Sequence, residues 1–259
     1  MRKFNYIFVV LVYKNTIDLV EFLDNLQKMD FSYKVIIVDS YYDAITMNQV
    51  KEIANINNCD FVSIDNKGYS YGNNVGIEYC LKHYIFDYLI VCNPDVIITE
   101  WQHLNIMNEP VIFAPVIYTL RGKNQNPYWA INCHFANRMI YFGYKHNNKL
   151  FLLVGIGINK VIRELFNILT KILRKEIKIY APHGSFIIFN RHAINKLKPV
   201  FDPNVFLFSE EAILAKRAKT SKVKIIMTNK IKILHKVCSS IRRQTRLTCD
   251  WSSDVCSSD

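Results

Sequence analysis

The chain has 259 residues, half of them hydrophobic and 13% aromatic, enough to bury one large core or a core with a subdomain. Its net charge of +11 suits anionic partners: sugar nucleotides, acidic membrane surfaces or nucleic acid. No run reaches the roughly 18 apolar residues of a membrane span, and seven cysteines without a CxxC suggest neither a zinc site nor a disulfide framework.

Phe4 to Tyr13 reads as a first strand. Its apolar run, Ile7 to Tyr13, is too short for a signal-peptide core and no small-residue cleavage site follows, so a cytoplasmic protein is expected. Lys14-Asn15-Thr16 forms a loop and cap, and Ile17 to Met29 carries Leu19, Val20, Leu23 and Leu26 at helical spacing. Val35 to Asp39 is a second buried strand ending in an acid. A helix from about Thr46 to Asn55 and a short strand at Phe61 to Ile64 follow. Strands alternating with helices indicate a parallel, doubly wound sheet.

The stretch Asn66-Lys67-Gly68-Tyr69-Ser70-Tyr71-Gly72-Asn73-Asn74 then opens a helix to about His83. Its glycines permit tight turns, and the helix start offers free N–H groups to an anion. It is no GxGxxG, and it follows the third strand instead of the first, which argues against a dinucleotide-binding domain. Tyr88 to Cys92 is a buried strand stopped by Asn93-Pro94, because proline cannot donate to a sheet. Asp95 thereby stands at a strand's carboxyl end, where open α/β sheets place ligands and where a carboxylate is suited to a divalent metal. Asn-Pro-Asp is equally an ordinary turn.

Val111 to Tyr118 is another strand, Arg121 to Asn126 a polar loop, and Tyr128 to Lys149 irregular and aromatic without a clear period. Asn159 to Lys178 forms an amphipathic helix: Val161, Leu165, Ile168, Leu169, Ile172 and Leu173 make the stripe, beside Lys160, Arg163, Lys171, Arg174 and Lys175. It suits an anionic membrane surface, or equally a domain-packed helix with a solvated basic face. His183-Gly184-Ser185 precedes the strand Phe186 to Phe189. Glu210-Glu211 opens a helix to about Lys219, and Val223 to Met227 and Ile231 to Leu234 are two final strands, the second ending at His235. Asp250 to Asp259 reads as a translated short-read sequencing adapter. A foreign tail is therefore expected, its junction between about Arg242 and Cys249 and the true C-terminus missing; a disordered polar tail reads the same way. Without those ten residues the net charge is +14.

In order, the chain shows a strand ending in Val-Asp, Asn-x-Gly-x-x-x-Gly-Asn-Asn-x-Gly, Asn-Pro-Asp, His-Gly-Ser-Phe, Glu-Glu-x-x-x-x-x-Arg and a late His. Over about Phe4 to Ser240 this resembles the inverting family 2 glycosyltransferases, especially bacterial rhamnosyltransferase-like enzymes of O-antigen and capsule synthesis. The resemblance implies an α/β GT-A fold, a Rossmann-like mixed and mostly parallel sheet flanked by helices. One domain over 1–241 would have a nucleotide-sugar half (about 1–118) and an acceptor half (about 119–241), with 242–259 a non-native tail. It implies a UDP-, dTDP- or GDP-sugar donor, a glycan or lipid-linked glycan acceptor and a Mg²⁺ or Mn²⁺ cofactor; the basic amphipathic helix adds the expectation of a cytoplasmic protein in peripheral contact with the inner face of the plasma membrane. No nucleic-acid module is recognisable.

Carried over by matching residues, Val12 and Tyr13 with Asp39 border the base and ribose, and Asn66, Gly68 and Asn73 shape the donor floor. Asn93-Pro94-Asp95 stands where the family has Asp-x-Asp, making Asp95 the metal carboxylate and His235 the late metal-binding histidine. Glu211 is the expected general base, with Glu210 orienting the acceptor or loop. Arg217 approaches phosphate or pairs with an acid, or is a solvated helix arginine. His183 and Gly184 line the acceptor side. The loop after Asp39 departs from the family's Asp-Asn-x-Ser form, and the acidic pair is Glu-Glu where Glu-Asp is usual. A non-catalytic GT-A-like or basic membrane- or anion-binding protein is the alternative. A nucleotidyltransferase would want a glycine- and basic-rich loop after the first strand, which Val12-Tyr13-Lys14-Asn15 is not.

Overall fold

A computed structural model describes residues 2–173, 176–207 and 209–236, with the side chains of 169–173 left aside. The expected end at 241, the tail 242–259 and Leu169, Lys171, Ile172, Leu173, Arg174 and Lys175 of the amphipathic stripe fall outside what it describes.

Strand β1 (Arg2–Val12) is apolar without alternation because both of its faces are covered. Ile7 and Val9 enter one core, with Ile36, Val38, Leu89 and Val91. Phe8 and Val10 enter the other, with Val35, Ile37 and Ile90. Helix α1 (Thr16–Leu26) starts at Asn15, whose side chain accepts the Asp18 N–H; α2 (Ala44–Ile56) starts at Asp43, which accepts that of Thr46. With them alternate β2 (Tyr33–Ser40), β3 (Asp60–Ile64), α3 (Tyr69–His83) and β4 (Tyr84–Cys92). These strands pair in parallel in the order β3-β2-β1-β4.

The remaining elements extend the same sheet: β5 (Val96–Trp101), β6 (Val111–Thr119), α4 (His134–Lys145), α5 (Lys149–Leu173), β7 (Ile177–Lys178), β8 (Phe186–Asn190), α6 (Arg191–Leu197), α7 (Glu210–Thr220) and β9 (Lys224–His235). The strand order continues β4-β8-β6-β9-β5, with β7 on β9. Pairing directions make β1, β2, β3, β4, β6 and β9 run one way and β5, β7 and β8 the other, a mixed and mostly parallel sheet as expected. The carboxyl ends of β1 to β4 and of β9 therefore lie along one edge. Helices cover both faces, α1 and α2 on one, α3, α6 and α7 on the other.

Several elements differ from expectation for local reasons. The aromatic stretch 128–149 contains α4, which opens after Cys133 without a side-chain cap and buries only the small residues Ala136 and Gly143. Helix α5 begins ten residues before Asn159, and Ile177–Lys178 is a strand instead of helix. The two final strands are one, β9, whose partner on β6 shifts from Thr228 to Lys232 between Pro115 and Val116. Helix α6, a seven-residue turn capped by Asn190, is too short to carry a period.

Asn74 of α3 ties the chain after α6 to the sheet. Its Nδ2 donates to the Phe201 carbonyl at 2.8 Å and its Oδ1 accepts the Phe201 N–H at 3.0 Å. Asn74→Ala would orphan two buried backbone groups, so a loss of about 2–4 kcal/mol is expected. A urea titration would register it as a lower midpoint at unchanged slope.

Candidate functional site

Along the shared edge, Asp95 follows β4 in the turn before β5, and His235 closes β9. The two meet because β5 and β9 pair with Val96 opposite His235, while Lys236 N–H donates to the Asp95 carbonyl at 2.9 Å. His235 Nε2 stands 3.3 Å from Asp95 Oδ2, and its Nδ1 is 2.8 Å from Gln125 Oε1. A carbonyl oxygen at Nδ1 takes a ring proton there, so Nε2 is the ring atom that faces the Asp95 carboxylate. A carboxylate oxygen and an imidazole nitrogen 3.3 Å apart are spaced to serve as neighbouring ligands of one divalent cation. The described residues hold no cluster of three or more His, Cys, Asp or Glu suited to a metal. A two-donor set is what Mg²⁺-type ions use when substrate phosphates and water complete the shell.

His183 packs edge-on to His235, with ring centroids 5.5 Å apart. Its Nδ1 accepts the Ser185 N–H at 3.2 Å and lies 2.9 Å from Ser185 Oγ, which leaves the ring proton on Nε2. Burial first, then the neighbouring His235, pushes its pKa down to about 3, so it is a neutral donor. Asn126 Oδ1 accepts the His183 N–H at 2.7 Å. Gln125 and Asn126, from the loop read only as polar, thus hold both histidines. Asn93 N–H donates to the Ser185 carbonyl at 3.0 Å, linking the Asn-Pro-Asp turn to the same segment.

The acidic pair opens α7 after Ser209, which is left-handed at φ 71°. Glu211 Oε1 accepts the Gly184 N–H at 3.1 Å, and Glu210 is buried beside it. Burial raises the Glu211 carboxyl above its ordinary range, offset in part by the N–H bonds of its own backbone and of Gly184. The Tyr69 hydroxyl, kept protonated well above its usual range by burial and then by Glu211 and Glu210, donates to the Gly184 carbonyl at 2.9 Å. Tyr128 feels both glutamates and packs against His183, while its ring stacks on Trp129, which stacks on Tyr180. This aromatic row was not anticipated; its only sequence signal was aromatic density. At Gly184 a Cβ would stand 2.7 Å from Glu211 Oε1. Gly184→Ala is expected to push the Glu211 carboxylate off the Gly184 N–H while Tm changes little, as a structure and a melting curve of the variant would show.

On the other side of the edge, Val12, Asp39 and Ser63 lie in one register row across β1, β2 and β3. Asp39 is buried, accepts the Ser63 hydroxyl at 3.0 Å and has its pKa raised by that burial. The Tyr13 and Tyr42 rings meet at 5.9 Å, and Lys14 Nζ lies 3.3 Å from the Tyr42 ring centroid. Asn66 Oδ1 accepts the Gly68 N–H, and Gly68 has φ +92°. A Cβ there would stand 2.3 Å from the Phe206 carbonyl, so this glycine lets the backbone at Phe206 pack against the start of α3. Asn73 is buried within the first turn of α3, donating to the Tyr69 carbonyl at 3.0 Å.

Arg217 corrects its expectation. Its guanidinium donates to the Leu197 carbonyl at 2.6 Å and to that of Pro199, clamping the end of α6 instead of reaching phosphate or an acid. A position two turns along α7 from Glu211 faces the packed α6 loop, which spacing alone did not reveal.

No described protein family matches the chain's sequence, and no curated protein matches it either. Solved structures do. The crystal structure of GalNAc-T7 with UDP, GalNAc and Mn²⁺ aligns over 90% of this chain with a TM-score of 0.59 at 11% identity. That of TarS from S. aureus aligns over 90% with 0.54 at 13% identity. Mannosyltransferase PcManGT from Pyrobaculum calidifontis, in complex with GDP-Man and Mn²⁺, aligns over 100% with 0.52 at 13% identity.

The fold is GT-A. The chain spans 44%, 37% and 66% of those three proteins' lengths. In GT-A terms, the edge bearing Asp39, Asp95, His235 and Glu211 is the carboxyl edge of the parallel strands, the ligand side of open α/β sheets. Among the described residues no helix is long and apolar enough to cross a membrane.

Proposed function

We propose that this chain is a metal-dependent inverting glycosyltransferase, moving a sugar from a nucleotide-sugar donor to a surface-glycan acceptor of the O-antigen or capsule type. The observation that carries the reading is the Asp95–His235 pair, a carboxylate and an imidazole 3.3 Å apart on the edge that also holds the half-buried carboxylate of Glu211. Proteins of this fold solved with UDP or GDP-Man and Mn²⁺ support the same reading. Family 2 membership and rhamnosyl specificity rest on the motif order alone.

In this reading Asp95 and His235 hold Mg²⁺ or Mn²⁺, and Gln125 fixes the histidine's tautomer, as outer hydrogen bonds do for metal-binding imidazoles. The bound ion supplies positive charge against a leaving diphosphate. Asp39, Val12 and Tyr13 border the nucleoside, and Asn66, Gly68 and Asn73 shape the floor beneath it. Glu211 takes the proton from the acceptor hydroxyl as that oxygen attacks C1 from the face opposite the diphosphate. Gly184 N–H aims the carboxylate, and Glu210 orients the helix start. Tyr128 offers a ring face to the acceptor sugar, and neutral His183 offers an N–H.

A thermal-shift panel of UDP-, dTDP- and GDP-sugars, each with and without Mn²⁺, tests the reading. One nucleotide class should stabilise the chain only with metal, by about 2–3 kcal/mol at a hundredfold excess over Kd. A folded sample that responds to none of them would sink the transferase reading and leave a non-catalytic GT-A-like binding protein.

A further inference from the structure

We infer that the α4–α5 hairpin docks this chain on a bilayer surface carrying anionic lipids, and that the acceptor is presented from that surface. The second clause rests on the transferase reading above; the first does not.

The hairpin packs mainly on itself. A Cβ at Gly143 would lie 2.5 Å from Leu152 Cγ, and one at Gly155 2.7 Å from the Ala136 carbonyl, so the helices meet through their smallest residues. They touch each other far more than they touch any strand. The inward side of α5 reaches the site: Asn167 is buried and accepts from Asn124 Nδ2 at 3.4 Å, next to the residues that hold His235 and His183. Arg163 is close enough to influence His183.

The outward side is apolar and uncovered. Leu150, Leu153, Val161, Leu165 and Ile168 are each more than half exposed. On the 3.6-residue repeat they fall within about a third of the circumference. Glu164 is the acid of that side, 3.6 Å from Arg163. On α4, Phe135, Tyr141 and Tyr144 are also more than half exposed, residues suited to a headgroup layer. Arg138, Lys145, Lys149 and Lys160 are exposed around the stripe. An apolar stripe of this width, flanked by lysines on a chain of net charge +11, is the pattern of a helix lying in an anionic interface. A helix is about 10 Å across, so the site lies roughly one helix diameter above the lipid. That is within reach of the first sugars on a lipid-borne acceptor.

The test is co-sedimentation of the 259-residue chain with phosphatidylcholine vesicles, with or without phosphatidylglycerol. The chain should pellet with the phosphatidylglycerol vesicles and release as salt rises. Leu153→Gln/Leu165→Gln should lower the partition about tenfold or more at unchanged Tm, since both positions are exposed. Lys145→Glu/Lys149→Glu/Lys160→Glu should abolish the preference for phosphatidylglycerol. A chain that stays in the supernatant with both vesicles, or a leucine variant that binds as well as the parent, overturns the docking. So does a dimer in sedimentation velocity that the leucine variant dissolves, which would give the stripe to a second copy. Glu211→Gln should bind vesicles as the parent does. A chain that binds vesicles yet transfers no sugar defeats only the acceptor clause, whereas one that transfers to soluble glycan and ignores vesicles defeats the docking.

Discussion

Glu211→Gln is expected to lower sugar transfer by about 10²–10⁴-fold while leaving the fold and metal-dependent donor binding intact, the range for losing a general base. Glutamine keeps the oxygen that accepts the Gly184 N–H, so the turn stays in place. The parent's pH dependence carries the same assignment. The base works ionised, and burial raises its pKa, so kcat/KM should fall on acidification at a pH above that of an exposed glutamate. Stability runs in the opposite sense. Between the unfolded and the raised native pKa the native state holds a proton that the unfolded chain has lost, so this group's contribution declines as pH rises through that window. Glu211→Gln should remove both the acid limb and that slope. A variant retaining full turnover would place the base elsewhere.

Asp95→Asn separates two accounts of the Asp95–His235 pair. If His235 presents a lone pair at Nε2, the variant's amide can donate to it where a carboxylate could not. Metal-free Tm should then hold or rise, while Mn²⁺-dependent stabilisation by donor disappears and turnover drops by about 10³-fold or more, several kcal/mol of charge stabilisation being lost. A simple ion pair would give the reverse sign in the metal-free protein. Breaking a largely buried pair is destabilising by about 3 kcal/mol, and Tm would fall. Calorimetry of metal-free parent and variant decides between them.

The alternating half of the chain was legible because its strands are buried on both faces and its first helix is capped by a side chain with one local purpose, Asn15. Asp95, Glu211 and His235 could be put forward from sequence because each ends or opens an element, where sequence shows a change of period, and the structure sets them on one edge. The residues that orient them were not. Gln125, Asn126 and Tyr128 come from a loop without a period, and their roles follow from which strand end lies above them. Arg217 misled for the same reason, since its partners are backbone carbonyls about 20 residues away in sequence that carry no side-chain signature. Helix α4 was missed because Gly143 and Ala136, its contact residues, are small instead of apolar and bulky.

The pairing of β5 with β9 has a consequence for the order of assembly. Strand β5 is the last in the sheet, and its ladder partner is completed only when residue 235 is in place, some 140 positions after Asp95. Contacts so distant in sequence form late in folding. During synthesis, then, β1 to β4 can close their parallel ladder while β5 still shows an open edge, the kind of edge that recruits other chains. The proposed metal pair comes into being with the same step that pairs β5 to β9. A nascent chain stalled before β9 would hold its carboxylate without its histidine, and would be exposed to aggregation before it had any capacity to act.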